Sequence, residues 1–410
     1  MSEKRPGSRL WVVTELYAPD DAATAHLMTQ IAEHAADSQS VCVLCAQPTY
    51  TQRGKKAPAR ENLNRVNVIR CWTTTFSKDN LALRVVNMAT IVVSFFLNML
   101  FRFRSGDVVL VVTNPPPLPF AAQTASWLRG AKTCLLIHDI YPDVLVPTGI
   151  TKKNSLLYRI IDFFSCSLFR RVHRIIAIGR DMKQRVVAKS AAFESKIEVI
   201  PNWCDESFQP VLQEENQLLQ ELPFREKFII QYSGNIGRTH GLSIIAEAAE
   251  ILQSKGMTEI HWMVCGWGGA KAAFKKQCKT LDLKNVSIHD PIPRDRLAEL
   301  IGVADVSLIS FIPGMSGISV PSRMYNMLAA GCPIIGVTDS DSELALTISD
   351  DQLGWVTTPN CAESLAKLVA SVYEEKDSLP EFRQRCKAAA HGKFNRERSL
   401  DAYVQIVQSI

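Results

Sequence analysis

The sequence has little that points to a nucleic-acid-binding protein. Its 410 residues carry a net charge of only +5 and contain no internal repeat or low-complexity segment. A nucleic-acid binder usually shows a denser basic surface, so we expect no nucleic-acid partner. A chain of this length is too long for one ordinary core and suggests two domains of about 200 residues each.

Disulfide and metal frameworks are also missing. The eleven cysteines are an odd number spread from Cys42 to Cys386. The single C-x-x-C pair, Cys42 and Cys45, has no second Cys or His pair at zinc spacing. We expect free thiols in a reducing compartment and no metal site. The N-terminal segment lacks the apolar run of a secretory signal, so a cytoplasmic location is expected.

No apolar run is long enough for a clean membrane span. The longest, residues 85–100, falls short of the roughly 18 to 20 residues that a spanning helix needs. Polar side chains recur in it at helical spacing, at Asn87, Thr90, Ser94 and Asn98, and basic side chains flank it, at Arg84, Arg102 and Arg104. This pattern fits a helix in a membrane interface and, equally, an ordinary buried helix. A similar basic and apolar segment at 152–174 favours peripheral contact with the inner face of the cell membrane.

The sequence contains two successive series of short β-branched runs that alternate with helical patterns. The first series lies at 9–14, 41–45, 66–71, 107–113, 133–138, 174–178 and 196–200, and the second at 228–232, 260–264, 286–288, 305–309, 333–337 and 354–358. Continuous apolar strands separated by helices predict parallel sheets covered on both faces. We therefore predict an α/β protein of two tandem doubly wound, Rossmann-like domains with an interdomain cleft.

The predicted domain boundary lies near residues 203–225. The first domain spans residues 1–205 and the second 206–392, and the last helix, 393–410, is expected to pack back on the first domain. In doubly wound sheets, ligands bind at the carboxyl ends of the strands. The loops at those ends are therefore where chemistry is expected.

Three glycine-rich loops follow strands of the second domain: "YSGNIGRTHG" at 232–241, "VCGWGGAK" at 264–271 and "MSGIS" at 315–319. They contain neither a complete G-x-G-x-x-G fingerprint nor a Walker motif. The first loop carries Arg238, and Arg323 opens a helix predicted from Pro321 to Ala330. A diphosphate ligand explains these backbone amides and two arginines better than three purely structural turns would explain them.

Polar residues also follow strands of the first domain. His138 and Asp139 end the run "LLIHDIYPDV", and His138 could meet a reacting group or be a structural histidine. Asp20, with Glu15 and Asp21, could contact a sugar or be a solvated turn acid. In the second domain, the Asp-x-Asp at 339–341 is better explained by capping of a helix at Ser342 than by a metal.

In this order and spacing the motifs resemble a retaining glycosyltransferase of family 4 with the GT-B fold. The motifs are "ELYAPD", "DVVLVVTNPPP", "HDIYPDV", "VIPNWCD", "YSGNIGRTHGL", "GWGG", "VADVSLI", "PSRMYNMLAAGCPIIGV" and "SELA". The chain is most similar to the branch that acts in colanic-acid and O-antigen assembly. The resemblance implies transfer of a sugar from a nucleotide diphosphate donor to a saccharide or lipid-linked acceptor, without a cofactor or metal ion.

The resemblance also assigns residues. It implies that Gly234, Asn235, Gly237 and Arg238 lie near the diphosphate, and Gly266, Trp267 and Gly268 near the base. The amides of Gly317 and Ile318, with Ser322 and Arg323, would complete the donor site. His138 would face the donor sugar as a catalytic contact beside Arg238, and Asp20 and Asp139 would belong to the acceptor side.

The sequence departs from the family pattern at two acidic positions. Many members carry two glutamates where this chain has Ile318 and Asn326, and a lysine where it has His240. Either Asn326 or Glu343 is then expected to contact the ribose. Two alternatives remain open: a non-hydrolysing nucleotide-sugar epimerase, and a catalytically silent sugar-nucleotide-binding partner of a polysaccharide assembly complex.

Overall fold

The computed structural model describes residues 8–48, 56–76, 81–204, 208, 211 and 213–410, without the side chains of Leu81, Ala82, Arg84 and Arg294. They form two compact units. The first comprises the residues up to Asp143, Lys152–Pro201 and Glu397–Ile410, and the second comprises Val144–Thr151 and Asn202–Arg396. Part of the predicted boundary segment, including Asp205 of the "VIPNWCD" motif, lies outside the described residues.

The first unit contains an eight-stranded sheet in the order β3-β4-β2-β1-β5-β6-β7-β8. All neighbouring strands are parallel except β3 and β4, which are antiparallel. The strands are β1 (Leu10–Val13), β2 (Val41–Ala46), β3 (Arg60–Leu63), β4 (Val66–Cys71), β5 (Val108–Val112), β6 (Lys132–Ile137), β7 (Arg174–Ala177) and β8 (Ile197–Val199). Every residue of β1 and β2 is buried, as expected for parallel strands covered on both faces.

Five helices connect these strands: α1 (Ala23–Ala36), α2 (Leu81–Arg102), α3 (Leu118–Arg129), α4 (Leu156–Arg171) and α5 (Arg180–Lys189). Seven of the eight strands were predicted. The missed strand, β3, has the sequence RENL and is only partly buried, so it has no apolar run to reveal it.

The second unit contains a six-stranded parallel sheet in the order β11-β10-β9-β12-β13-β14. Its strands are β9 (Phe228–Asn235), β10 (Ile260–Trp267), β11 (Val286–His289), β12 (Val306–Ser310), β13 (Ile334–Val337) and β14 (Gly354–Thr357). The prediction of two doubly wound parallel-sheet domains is therefore confirmed.

The helices of the second unit are α6 (Gln217–Glu221), α7 (Ser243–Ser254), α8 (Lys271–Thr280), α9 (Leu297–Gly302), α10 (Arg323–Ala329), α11 (Glu343–Asp350), α12 (Ala362–Glu374) and α13 (Leu379–His391). The last helix, α14 (Arg396–Ser409), lies almost wholly in the first unit. There it buries Tyr403, and its Asp401 lies 2.7 Å from His34 of α1.

All eleven cysteines are thiols outside any disulfide, and nine of them are buried. Cys42 and Cys45 both lie in the buried strand β2, where they pack as small apolar side chains. Burial raises the pKa of the Cys45 thiol to about 12, and that of Cys134 likewise. These thiols stay protonated at neutral pH and are poor nucleophiles.

Asp107 joins the amino ends of β1 and β5 in the first unit. Its side chain is 1% exposed, and it accepts hydrogen bonds from the Arg9 guanidinium at 2.9 Å and the Trp11 indole at 2.9 Å. The main-chain N–H groups of Arg9 and Arg104 donate to the same carboxylate. A buried carboxylate is tolerated here because several donors replace its lost hydration.

We predict that Asp107→Ala strongly destabilises the first unit. It would leave the Arg9 charge and the Trp11 N–H without their acceptor, which costs roughly 3–5 kcal/mol for a broken buried pair. The urea midpoint of unfolding measures this loss. Asp37→Ala is the control, because Asp37 pairs with Arg65 at the surface, where a pair contributes about 1 kcal/mol or less. Equal midpoints for the two variants would contradict the anchoring role.

Candidate active site

The turns after β9 and β10 approach each other through bare backbone. Gly266 is paired in register with Gly234, and a Cβ atom on Gly266 would lie 1.9 Å from the Gly234 carbonyl oxygen. Both glycines have positive φ angles, 153° and 136°, which L side chains rarely adopt. The Ile236 N–H donates to the Trp267 carbonyl at 2.7 Å and ties the two turns together.

Gly268 extends this contact. A Cβ atom there would lie 2.3 Å from the Ile236 carbonyl oxygen and 2.7 Å from the Asn235 side-chain oxygen. The neighbouring Trp267 is 49% exposed, whereas the other residues of β10 are buried. The structure thus brings together the residues predicted for the diphosphate and base, with an exposed indole beside them.

Lys271 holds the other side of the β10 turn, and we did not predict it. Its ammonium donates to the carbonyl oxygens of Gly266 at 2.8 Å and His289 at 2.9 Å, and to Asp290 at 2.7 Å. These contacts cross-link the carboxyl ends of β10 and β11. The ammonium group of Lys271 therefore stabilises the turn, and a lysine that opens a helix gives no sequence signal of that contact.

Arg323, the first residue of α10, places a fixed cation against the β9 turn. Its Nη1 donates to the Ser233 carbonyl at 2.9 Å, and its guanidinium lies 4.4 Å from the centre of the Tyr232 ring. A Cβ atom on Gly234 would come within 2.7 Å of Nη1. Nη2 is enclosed and has no hydrogen-bond partner in the described part of the chain. A cation held in place with a spare donor is suited to an anionic ligand.

Arg238, in contrast, is exposed and lies in a three-residue 3-10 turn, Arg238–His240. The sequence favoured it as the principal cation because it lies inside the glycine-rich loop. The structure shows that Arg323, ninety residues away from Ser233 along the chain, is the arginine that contacts this turn. Distance along the chain is what concealed that contact.

His240 occupies the position where a lysine was expected. Burial, reinforced by the nearby Arg323 charge, lowers its pKa to about 4. Its ring stacks on Phe311 with centroids 5.6 Å apart, and its main-chain N–H donates to the Gly237 carbonyl at 3.2 Å. His240 is therefore neutral at physiological pH and adds no second positive charge beside Arg323.

The loop before α10 is held by Asp339. The Asp339 carboxylate accepts from the main-chain N–H of Gly314 at 2.8 Å and of Ser316 at 3.3 Å. The Ile318 amide, expected to meet a phosphate, donates to the Met315 carbonyl at 3.1 Å, and its side chain is buried. Gly317 is buried with φ of 67°. Three amides in this loop are thus already bonded within the protein.

The Asp-x-Asp segment therefore has two separate structural roles. Ser342 caps α11 by accepting from the Ala345 N–H at 3.2 Å, as predicted. Asp339 holds the glycine-rich loop, which the sequence analysis missed. Within the described residues, no group of three or more His, Cys, Asp or Glu side chains is arranged to hold a metal ion.

The two candidate ribose contacts differ in accessibility. Glu343 is 7% exposed at the start of α11 and accepts from the Thr347 hydroxyl at 3.1 Å. Asn326 is partly exposed on α10, as is Ser322, whose side chain makes no capping hydrogen bond. Asn326 is the candidate that a ligand can reach without displacing an internal contact.

In the first unit, His138 follows β6 at the carboxyl edge of the sheet. Its main-chain N–H donates to the Thr113 hydroxyl at 3.0 Å, and the Asp139 N–H donates to the same oxygen at 3.3 Å. The His138 Nε2 atom is enclosed and has no hydrogen-bond partner among the residues described. Burial lowers the His138 pKa to about 4, so its imidazole is neutral. Asp20 is buried after β1, two strands away across β5.

Family models match both units. Residues 22–203 match the model of a glycosyl transferase 4-like domain, and residues 214–393 match the model of glycosyl transferases group 1. The chain belongs to glycosyltransferase family 4. Together the two matches span nearly the whole chain, in the order expected for the GT-B fold.

Two relatives and a solved structure resemble this glycosyltransferase. A probable glycosyltransferase, WbjE of Pseudomonas aeruginosa, is 29% identical over 68% of this chain and 69% of its own. A putative colanic acid biosynthesis glycosyl transferase, WcaI of Escherichia coli, is 27% identical over 76% of this chain and 78% of its own. The structure of Anabaena HepE in complex with UDP and glucose superposes with a TM-score of 0.73 at 13% identity, covering 98% and 100% of the two chains. That likeness shows the fold.

We predict that Gly266→Ala disrupts the turn of this glycosyltransferase. The added methyl group would overlap the Gly234 carbonyl and would force a left-handed φ on alanine. The melting temperature should fall by several degrees, since the clash falls on backbone atoms. Gly269→Ala, three residues away, is the matched control, because no atom lies within 4 Å of its Cβ position. Similar melting temperatures for both variants would show that the close approach is unimportant.

Stability should rise with pH between about 4 and 6.5. The folded-state pKa of His138 is lowered from 6.5 to about 4, so the unfolded chain binds more protons in this window. The slope of unfolding free energy against pH is proportional to the number of protons taken up on unfolding, and His138→Gln should lower that number by about one. Urea titrations across this pH range measure the slope. The exposed His391→Gln is the control, and an unchanged slope in His138→Gln would refute the assignment.

Proposed function

We propose that this protein is a retaining glycosyltransferase that moves a sugar from a nucleotide diphosphate donor to a lipid-linked saccharide. The pathway would be bacterial surface or exopolysaccharide biosynthesis. The observation that carries the proposal is the guanidinium of Arg323 fixed against the Gly234 turn with its Nη2 enclosed and unpartnered among the described residues. A diphosphate would supply the missing acceptor, because its oxygens match the fork of guanidinium donors.

The neighbouring turns support a nucleotide on the same donor. Gly266 and Gly268 leave bare backbone beside the half-exposed Trp267, so a flat base can approach closely. Asn326 would contact the ribose with its side-chain amide. HepE, which shares the fold, was solved with UDP and glucose, and this supports a nucleotide-sugar donor here.

For the reaction, we propose displacement on one face of the anomeric carbon. The bond to the leaving diphosphate breaks and the bond to the acceptor oxygen forms on the same side, which retains the configuration. The proton of the acceptor hydroxyl would pass to the oxygen of the leaving diphosphate. Arg323 and Arg238 would take up the charge of the diphosphate, as preorganised cations do in other transfer enzymes. With its pKa lowered to about 4, His138 is a weak base at neutral pH. We therefore give it a donor-sugar contact, with its enclosed Nε2 as the contacting atom.

The acceptor side is proposed for the first unit, with Asp20 and Asp139 among its polar groups. The names of WbjE and WcaI, a glycosyltransferase and a colanic acid biosynthesis enzyme, support a saccharide acceptor of surface polysaccharide assembly. Such acceptors are commonly attached to lipid, so we place the enzyme on the cytoplasmic side of the membrane, bound at its inner face. We propose further that catalysis needs no metal ion, since the arginine cations Arg323 and Arg238 would stabilise the leaving diphosphate instead.

Donor binding is the first test of this function. One sugar nucleotide among UDP-, GDP- and ADP-glucose should raise the melting temperature, because ligand at 100 times its Kd stabilises by about 2.7 kcal/mol. Arg323→Ala and Arg238→Ala should abolish that shift, measured relative to each variant without ligand. Arg225→Ala is the control, because Arg225 is an exposed arginine next to Glu226. A shift that survives both site variants would contradict the phosphate role of the arginines.

Turnover is tested with labelled donor and a membrane extract, with and without a chelator. We expect a labelled lipid product that keeps the anomeric configuration of the donor sugar. The product should also form in the presence of the chelator. A free epimer of the donor would instead identify an epimerase. Binding without any product would identify a silent partner protein.

A further inference from the structure

The helix α2 is apolar on its outer side, while its inner side mixes polar and apolar side chains. Its buried positions include Asn87, Ile91 and Phe95, at intervals of four residues. The opposite stripe, Val93, Leu97 and Phe101, is 58%, 48% and 84% exposed. A surface helix of a water-soluble unit normally carries polar or charged side chains on its outer side.

The polar side chains of α2 are used inside the unit. The Asn87 side-chain oxygen accepts from the Phe76 N–H at 3.0 Å and from the Thr74 hydroxyl at 2.9 Å. Thr90 pairs with the same Thr74 hydroxyl at 2.8 Å. The predicted polar stripe thus lies buried or half-buried, and part of the apolar arc, Val93, Leu97 and Phe101, is left outside. The other expectation was an ordinary buried helix. It is excluded because only 17% of the apolar stretch Val85–Arg102 is buried.

The neighbouring helices continue this surface. α2 packs against α3, and α3 against α4. On α3 the indole of Trp127 is 74% exposed, and on α4 Leu156 and Phe163 are 75% and 66% exposed. We name these six residues, Val93, Leu97, Phe101, Trp127, Leu156 and Phe163, the outer helical face. Single exposed apolar residues are common, but a group of this size on adjacent helices indicates a contact surface.

The sheet order explains why these helices share one side. The connections β4-α2-β5, β5-α3-β6 and β6-α4-β7 all step in the same direction across the sheet. Right-handed crossovers that step in one direction place their helices on one face of the sheet. The carboxyl ends of the three helices therefore meet at the amino edge of the sheet.

That edge is positively charged. The ends of the three helices contribute five arginines to it, four of them exposed: Arg102, Arg104, Arg129, Arg170 and Arg171. α2 and α3 contain no acidic residue, and the single acid of α4, Asp162, is paired with Lys189. An apolar face with a cationic rim is complementary to a bilayer that has anionic headgroups.

We propose that the outer helical face docks this enzyme on an anionic lipid bilayer, with α2 lying in the plane of the interface. By length and mean hydropathy, 1.7 over Val85–Arg102, α2 could also span a membrane. However, it connects two strands of one sheet and buries Phe95 and Met99 completely in the first unit. Spanning would remove both side chains from the core. The inference deepens the proposed function, and it rests on that function only for the identity of the lipid-linked acceptor.

The test is flotation of the full-length protein with vesicles of phosphatidylethanolamine and phosphatidylglycerol. Val93→Ser/Leu97→Ser/Phe101→Ser should lower the bound fraction at least about tenfold, because three inserting side chains are lost. Val93→Ile/Leu97→Met/Phe101→Leu, which keeps the face apolar, should bind as the parent does. Equal binding by the serine variant would overturn the proposal.

The charge of the rim is tested separately. Arg104→Gln/Arg129→Gln/Arg171→Gln should weaken binding to these vesicles and reduce its salt dependence. The matched control is Lys275→Gln/Lys276→Gln/Lys279→Gln, three exposed cations of α8 in the other unit. Equal losses in the two charge variants would overturn the assignment of the rim.

Two further outcomes would contradict the proposal. A dimer that the serine substitutions dissociate would assign the outer helical face to a second copy of the chain. Resistance of membrane-bound protein to alkaline carbonate would show a spanning helix. The donor-induced melting shift is measured without lipid and should be unchanged in all these variants. Failure of the docking surface is thereby distinguished from failure of the proposed function.

Discussion

The close approach of two turns at Gly234 and Gly266 is the constraint on which the site depends. A methyl group on Gly266 would overlap the carbonyl of Gly234, so the two strand ends can lie in register only when position 266 has no side chain. This contact fixes the position of the β9 and β10 loops relative to each other at the carboxyl edge of the sheet. The Arg323 side chain then occupies the space that a side chain on Gly234 would need, and its guanidinium is held against this turn.

The electrostatics of this region follow from that packing. Because His240 is largely buried and the Arg323 charge lies close, the pKa of His240 is lowered and the histidine stays neutral. Lys271 is held by carbonyl oxygens and Asp290, so its charge is already compensated. The positive charge left for a ligand is therefore supplied by arginines. Arginine suits that role because it stays charged even where burial would neutralise a lysine.

Sequence reasoning predicted the parts of this fold that depend on local pattern. The strands are continuous apolar runs, and the glycine loops stand where parallel strands end, so both were found. The contacts that cross the chain were not predictable in this way. Arg323 reaches Ser233, and Asp339 reaches Gly314 and Ser316. Neither pairing leaves a periodic signal, because each depends on which strands become neighbours.

The direction of a helix face was equally hidden. The polar stripe of α2 was visible in the sequence, but the side to which it turns depends on Thr74 and Phe76, which precede the helix and donate hydrogen bonds to Asn87. Periodicity gives the phase of a stripe but not which side meets the sheet. The strand β3 was missed for the same reason. It is stabilised by pairing with β4 and not by an apolar run of its own.

The last helix has a consequence for how the chain can be divided. Although it ends the sequence, α14 belongs to the first unit and buries Leu400, Tyr403 and Val407 there. A fragment that stops after β8 would therefore expose the apolar surface that these side chains cover. During synthesis, the first unit therefore acquires α14 only after the residues of the second unit have been made.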